Sequence, residues 1–179
     1  KGSDQNLKVV GKALADMNTR TGATGKTLQD LTANALDAAD MLGEDTTQAI
    51  TAVTRAMGDW GIAAADGSLA MDKMFIAAQQ SGIGMSQLGE QLVKYGSPLR
   101  QMGFDFDTAT AMIAKFEREG VNAELVLGSL RIALAKMSKA GVTDTAEGLQ
   151  TIINQIKNAG SAGEATAIAV EKFGSRAGP

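Results

Sequence analysis

The sequence contains no histidine and no cysteine. Together these absences exclude disulfides, thiol nucleophiles, the usual zinc ligand sets and the commonest general base. A catalytic site would have to be assembled from carboxylates, lysine or serine alone. Lack of cysteine fits any redox compartment and does not locate the protein. Aromatic residues make up only 4% of the chain, and its two prolines lie where helices tolerate them. Long apolar runs are missing as well, since none approaches the about 20 residues of a membrane span. The start, Lys1-Gly2-Ser3-Asp4, has no apolar stretch behind its charge, unlike a signal peptide. With no initiator methionine and an abrupt Arg176-Ala177-Gly178-Pro179 end, the chain is expected to be a piece of a longer one. There is no basic excess either. A formal net charge of −3 argues against a dedicated nucleic-acid binder, which normally carries a basic face.

What is present favours helices. A chain of 179 residues, 44% of them hydrophobic, is long enough for one sizeable core. Nine methionines and many alanines suit close helix–helix packing and suit a β-sandwich poorly. One phrase recurs along the chain: glycine followed by an apolar residue, at Gly61-Ile62, Gly82-Ile83, Gly103-Phe104, Gly120-Val121 and Gly141-Val142. Glycine just past a helix takes the left-handed conformation that ends it, and the apolar residue folds back onto the last turn. A Ser, Thr, Asp or Asn soon after can accept from the free N–H groups opening the next helix.

The apolar spacing fills in the helices between these stops. Leu7, Val10, Leu14 and Met17 form one face, and Gly22 to Gly25 reads as a loop. Thr27 with Asp30 resembles a capping pair ahead of Leu28, Leu31, Ala35, Ala38 and Leu42. Asp45 with Gln48 opens a helix with Ile50, Val53, Met57 and Trp60 inward, and Met71, Met74, Phe75 and Ala78 mark the next. Ser86 is expected to start a shorter helix burying Leu88, Leu92 and Tyr95. Gly96-Ser97-Pro98 reads as a restart, with Leu99 and Met102 packing a brief turn. Asp105 or Asp107 caps a helix with Ala109, Met112, Ile113 and Phe116. Asn122 begins what reads as the longest helix, with Leu127, Leu130, Leu134 and Met137 inward. Asp144 with Glu147 and Ser161 with Glu164 read as capping boxes ahead of Leu149, Ile152, Ile153 and Ile156, and of Ala165, Ile168, Ala169 and Phe173. The expected fold is all-α, a single compact array of about eight to nine antiparallel helices. Stops at 43, 61, 82, 103, 120, 141 and 160 fall about twenty residues apart, as in a solenoid. The side chains between them do not repeat, and a helix plus a turn is about that long anyway.

Three features invite a chemical reading, and each has a plainer one. Glu117, Glu119 and Glu124 are the carboxylates clustered near a break, as a glycoside hydrolase would need. Glu117 and Glu119, two apart on a helix, point about 200° apart and cannot converge. Gly22-Ala23-Thr24-Gly25-Lys26-Thr27 resembles the end of a phosphate-binding loop, but Arg20 stands where the first glycine belongs and a helix stands where the strand belongs. Trp60 suits a partner hot spot, yet its stripe position makes it core filler first. Met71, Met74, Met112 and Met137 lie on apolar stripes and read as core. The 7-10-14-17, 28-31-35-38-42 and 50-53-57-60 runs are too short for a coiled coil, though they leave open self-association through an exposed seam. No catalytic, cofactor-binding or metal-binding residue is nominated.

The stretch from Phe75 to Lys136 resembles the conserved core region of phage tail tape measure proteins. It carries in order Ala77-Ala78-Gln79-Gln80-Ser81-Gly82, Leu88 and Leu92, Tyr95-Gly96-Ser97-Pro98, Met102-Gly103-Phe104, Glu119-Gly120-Val121 and Gly128-Ser129-Leu130-Arg131. Ala56-Met57-Gly58-Asp59-Trp60-Gly61 fits the preceding helix, and Glu171-Lys172-Phe173-Gly174-Ser175-Arg176-Ala177-Gly178 resembles the family's phenylalanine–glycine close. Ser129 stands where threonine is common, and Lys115 to Glu119 is more charged than the pattern. The resemblance covers most of the chain from about residue 25. It implies a non-enzymatic structural module that helps set tail length and organises the tail tube interior. Residues 1–25 would form an N-terminal helix and loop leading from an upstream segment, and 26–179 the core domain. Implied partners are tail tube and tail tip proteins, tail assembly chaperones and a second copy of the chain, with no specific nucleic-acid binding and no cofactor. The implied location is the virion tail, and the host cytoplasm before assembly. The competing readings are a helical adaptor for a partner helix and a peptidoglycan-degrading insert.

Overall fold

The computed structural model describes residues 2–175. In order the helices are α1 (Gly2–Thr21), α2 (Gly25–Leu42), α3 (Thr46–Asp59), α4 (Gly67–Ser81), α5 (Met85–Gln101), α6 (Phe106–Arg118), α7 (Ala123–Lys139), α8 (Thr145–Lys157) and α9 (Ala162–Phe173), with a 3-10 turn at Ala64–Asp66 before α4. The chain is 81% helical with no strand among the described residues, so the fold is all-α as expected.

The glycine stops work as the sequence indicates. Gly43, Gly61, Gly82, Gly103, Gly120 and Gly141 all have φ between 67° and 80°. At four of them the next residue's N–H closes the helix end over five residues: Glu44 to the Ala39 carbonyl at 2.8 Å, Ile62 to Met57 at 2.8 Å, Phe104 to Leu99 at 3.1 Å and Val142 to Met137 at 3.0 Å. The apolar clamp is less uniform. Ile62, Ile83 and Phe104 are half-buried, whereas Val121 and Val142 stay exposed. Gly160 is not a stop of this kind: α8 ends at Lys157, and the Gly160 N–H donates to Glu164 Oε2 at 2.8 Å. The caps at Asp45, Asn122, Asp144 and Ser161 accept from the N–H three residues on, at 2.9 to 3.2 Å.

Several local expectations fail, each for a physical reason. Thr27 caps nothing, because Thr24 occupies the N-cap position and α2 already runs from Gly25. Ser86 does not open α5; the helix starts at Met85, and Glu44 reaches in from the preceding α2–α3 connection to accept from Met85 N at 2.8 Å and Ser86 N at 3.2 Å. Gly96-Ser97-Pro98 is not a restart, since α5 runs through it without a break. Leu88, Leu92, Tyr95, Leu99 and Met102 are all buried, and this uninterrupted stripe outweighs the local breakers. Of the first stripe only Met17 is buried; Leu14 is half-buried, and Leu7 and Val10 lie 70% and 40% exposed. Nor is α7 the longest helix: it has 17 residues, against 20 in α1 and 18 in α2.

The helices sort into two compact units. The first takes the described residues up to Gly96 together with Phe106–Glu119. Within it α1 packs on α2 and α3, α2 on α3 and α4, and α4 on α6. Its core is built from Met17, Leu31, Ile50, Met57, Met71, Met74, Met85, Leu88, Leu92 and Ile113, all essentially inaccessible to solvent. Methionine, unbranched and adaptable, fills the gaps that the scarcity of aromatic side chains leaves. Gly89 sits where α3 and α5 cross so closely that a Cβ would lie 2.9 Å from the Ala52 carbonyl carbon and oxygen. The second unit takes Ser97–Asp105 and the described residues from Gly120 on. In it α7, α8 and α9 pack pairwise, with Leu99, Met102, Leu127, Leu134, Met137 and Ile152 buried. No residue of α9 is fully buried.

Candidate assembly surfaces

The features that invited chemistry are each occupied structurally. Glu117, half-buried, accepts from Gln91 Nε2 at 2.8 Å, and Glu119 pairs loosely with Lys115 at 3.9 Å. Glu124 lies in the first turn of α7 in the other unit, where a carboxylate favours the helix dipole. The Gly22–Gly25 loop is a tight helix-to-helix turn. Gly22 N donates to the Asn18 carbonyl, Ala23 N to Thr21 Oγ1, and Asn18 Nδ2 to the Ala23 carbonyl. The Lys26 ammonium is spent on Asp30, at 2.7 Å one helical turn on. Trp60 is half-buried. Its indole meets the Phe106 ring edge-on at 5.9 Å, and Nε1 donates to the Leu92 carbonyl at 3.0 Å. That makes it a packing residue of the first unit with its one polar atom satisfied.

Of the stripe methionines, Met71, Met74 and Met137 are buried and Met112 is half-buried. No set of three carboxylates among the described residues is grouped to hold a metal ion. No described helix is long and apolar enough to cross a membrane.

What the surface offers instead is clefts between helices. In the second unit a cleft of about 490 Å³ lies among α7, α8 and α9, with Met137, Val142 and Ile152 on its floor and Lys136, Asp144 and Lys172 at its edge. Those charges are already engaged. Asp144 caps α8, Lys136 donates to the Glu171 carbonyl, and Lys172 holds the Glu171 carboxylate at 2.6 Å. That hydrogen bond, and the Lys172 charge itself, keep Glu171 below the usual carboxylate range. In the first unit a cleft of about 480 Å³ runs between α4 and α6, floored by Ala77, Ala111 and Ala114 with Ile76 at its lip. Both clefts are open, walled by small and apolar side chains, and framed by charge. Sequence reading foresaw neither the long reach of Glu44 nor these clefts. The clefts come from helix pairings that no local pattern encodes.

A chain whose regular structure among the described residues is all helical, with clefts between its helices, has the makings of an assembly component. The model of the phage-related minor tail protein family matches residues 3–168, and the chain belongs to that family. Membership makes it a structural constituent of phage tails. No curated protein and no solved structure matches it.

Proposed function

We propose that the chain is the helical core region of a tape measure protein, a non-enzymatic module that helps set tail length and organises the tail tube interior. The observation that carries this reading is the run of left-handed glycine stops at Gly82, Gly103 and Gly120, through the segment bearing the tape-measure pattern. A length ruler needs helices with defined ends and needs no active site. Its partners on this reading are tail tube and tail tip proteins and tail assembly chaperones. It resides in the host cytoplasm before assembly and in the virion tail afterwards, with residues 1–25 leading into a core domain at 26–179.

The stops also supply a mechanism. Opening a glycine turn converts two packed helices into one longer rod, and each residue of that rod adds about 1.5 Å of length. Duplicating the coding region for residues 26–179 in frame, in a phage that encodes the chain, tests both parts by electron microscopy of the tails. Tails should lengthen, by an amount approaching about 1.5 Å per added residue if the turns open and by much less if the segment stays folded. An unchanged length distribution in tails that incorporate the longer chain would sink the length-setting role.

A further inference from the structure

On the outer face of the first unit, opposite charges flank a single helix. α4 packs against α2 on one side and against α6 on the other. The α2-side cleft is lined by Asp37, Met41, Asp72 and Phe75 and holds two carboxylates and no cation. The α6-side cleft carries Lys73, Lys115 and Arg118 against a single carboxylate, Asp107. Three large apolar side chains stand out on this same layer: Met41 at 71% exposure, Leu69 at 58% and Ile76 at 50%. Asp37, Asp72 and Arg118 make no ion pair among the described residues. Lys73 and Lys115 are held only by Asp107 and Glu119 in exposed pairs, which are weak and exchange partners readily.

We propose that this face binds the same face of a second copy, about a two-fold axis running roughly along α4. In that arrangement the α2 side of each copy lies on the α6 side of the other. The side bearing Asp37 and Asp72 then lies on the side bearing Lys73, Lys115 and Arg118, twice by symmetry, and Met41 enters the cleft beside Ile76. The occupant follows from charge. One cleft has an excess of two negative charges and the other an excess of two positive charges, so a second copy satisfies both at once. An unrelated acidic helix would satisfy only the α6 side. The inference rests on this surface and not on the length-setting role.

Sedimentation velocity on the full 179-residue chain tests it. A reversible monomer–dimer equilibrium is expected, with Kd rising at least about tenfold between low and high salt as the charges are screened. Two charge-reversed variants sharpen the test, Asp37→Lys with Asp72→Lys and Lys115→Glu with Arg118→Glu. All four positions are exposed, so both variants should keep wild-type helix content by circular dichroism. Each alone should lose dimerisation, because its two clefts then carry like charge. Mixed one to one, they should form a heterodimer, since both clefts of one variant are now net basic and both clefts of the other net acidic. A wild-type chain that stays monomeric at every concentration overturns the proposal. So do dimers formed by either variant alone, open-ended growth in place of a dimer, or a mixture of the two that remains monomeric.

Discussion

Glu44 shows how much a single side chain can decide in a fold with few polar contacts. It follows the left-handed Gly43, crosses to the start of α5 and accepts from two N–H groups that no local residue serves. Gly84 makes room for it: a Cβ there would lie 1.9 Å from Glu44 Oε1. Gly84→Ala is therefore expected to evict the carboxylate and to cost about 1 kcal/mol in a urea melt, close to the loss from Glu44→Ala. In the double variant the two losses should not add, because both break one interaction. Full additivity would mean that the glycine serves some other purpose. The sequence points to a cap at Ser86, a residue of the right type in the right place, whose Oγ instead lies buried without a partner among the described residues. Chemistry between residues 41 and 42 positions apart leaves no local trace. By contrast the caps at Asp45, Asn122, Asp144 and Ser161 were legible, because donor and acceptor there are three residues apart.

At the scale of elements, α5 is where local signals and packing disagree. Proline inside a helix removes one backbone hydrogen bond and presses its ring on the preceding turn. Pro98 nonetheless sits inside α5, buried, between the fully buried Tyr95 and Leu99. The stripe from Leu88 to Met102 holds the helix together across a Gly-Ser-Pro sequence that would end it in isolation. Pro98→Ala is thus expected to stabilise the chain by about 1–2 kcal/mol, less than the full proline penalty because a small void replaces the ring. Chemical denaturation checks this, and a loss of stability would show that the ring's packing outweighs the missing hydrogen bond. The remaining helices were readable because period and punctuation agree in them. The first stripe was the exception: Leu7 and Val10 have helical spacing but no neighbour among the described residues that buries them, and spacing alone cannot say whether one exists.

For the whole molecule, the all-α class was readable from composition and stops, whereas the division into two units was not. That division depends on which helices meet, and an amphipathic face does not name its partner. The units differ in how well they are filled. The first encloses ten large, inaccessible side chains, whereas α9 in the second contributes none. Local opening follows the number of buried contacts, so the amides of α9 are expected to exchange hydrogen well before those of α2, α3 and α4. Mass-spectrometric exchange resolves this, and equal protection in α9 and α3 would require a cover for α9 that the described residues do not provide. The surfaces that matter for assembly were equally hidden. Asp37 and Arg118 read as ordinary solvated charges until the packing of α2, α4 and α6 gathers each with its neighbours.

The lone tryptophan has a practical consequence. Trp60 and the single tyrosine, Tyr95, both belong to the first unit, so tryptophan and tyrosine fluorescence reports on that unit and not on the other. Circular dichroism counts the helices of both. A shift between the two unfolding curves therefore measures directly how independently the halves of this protein melt, with no label added.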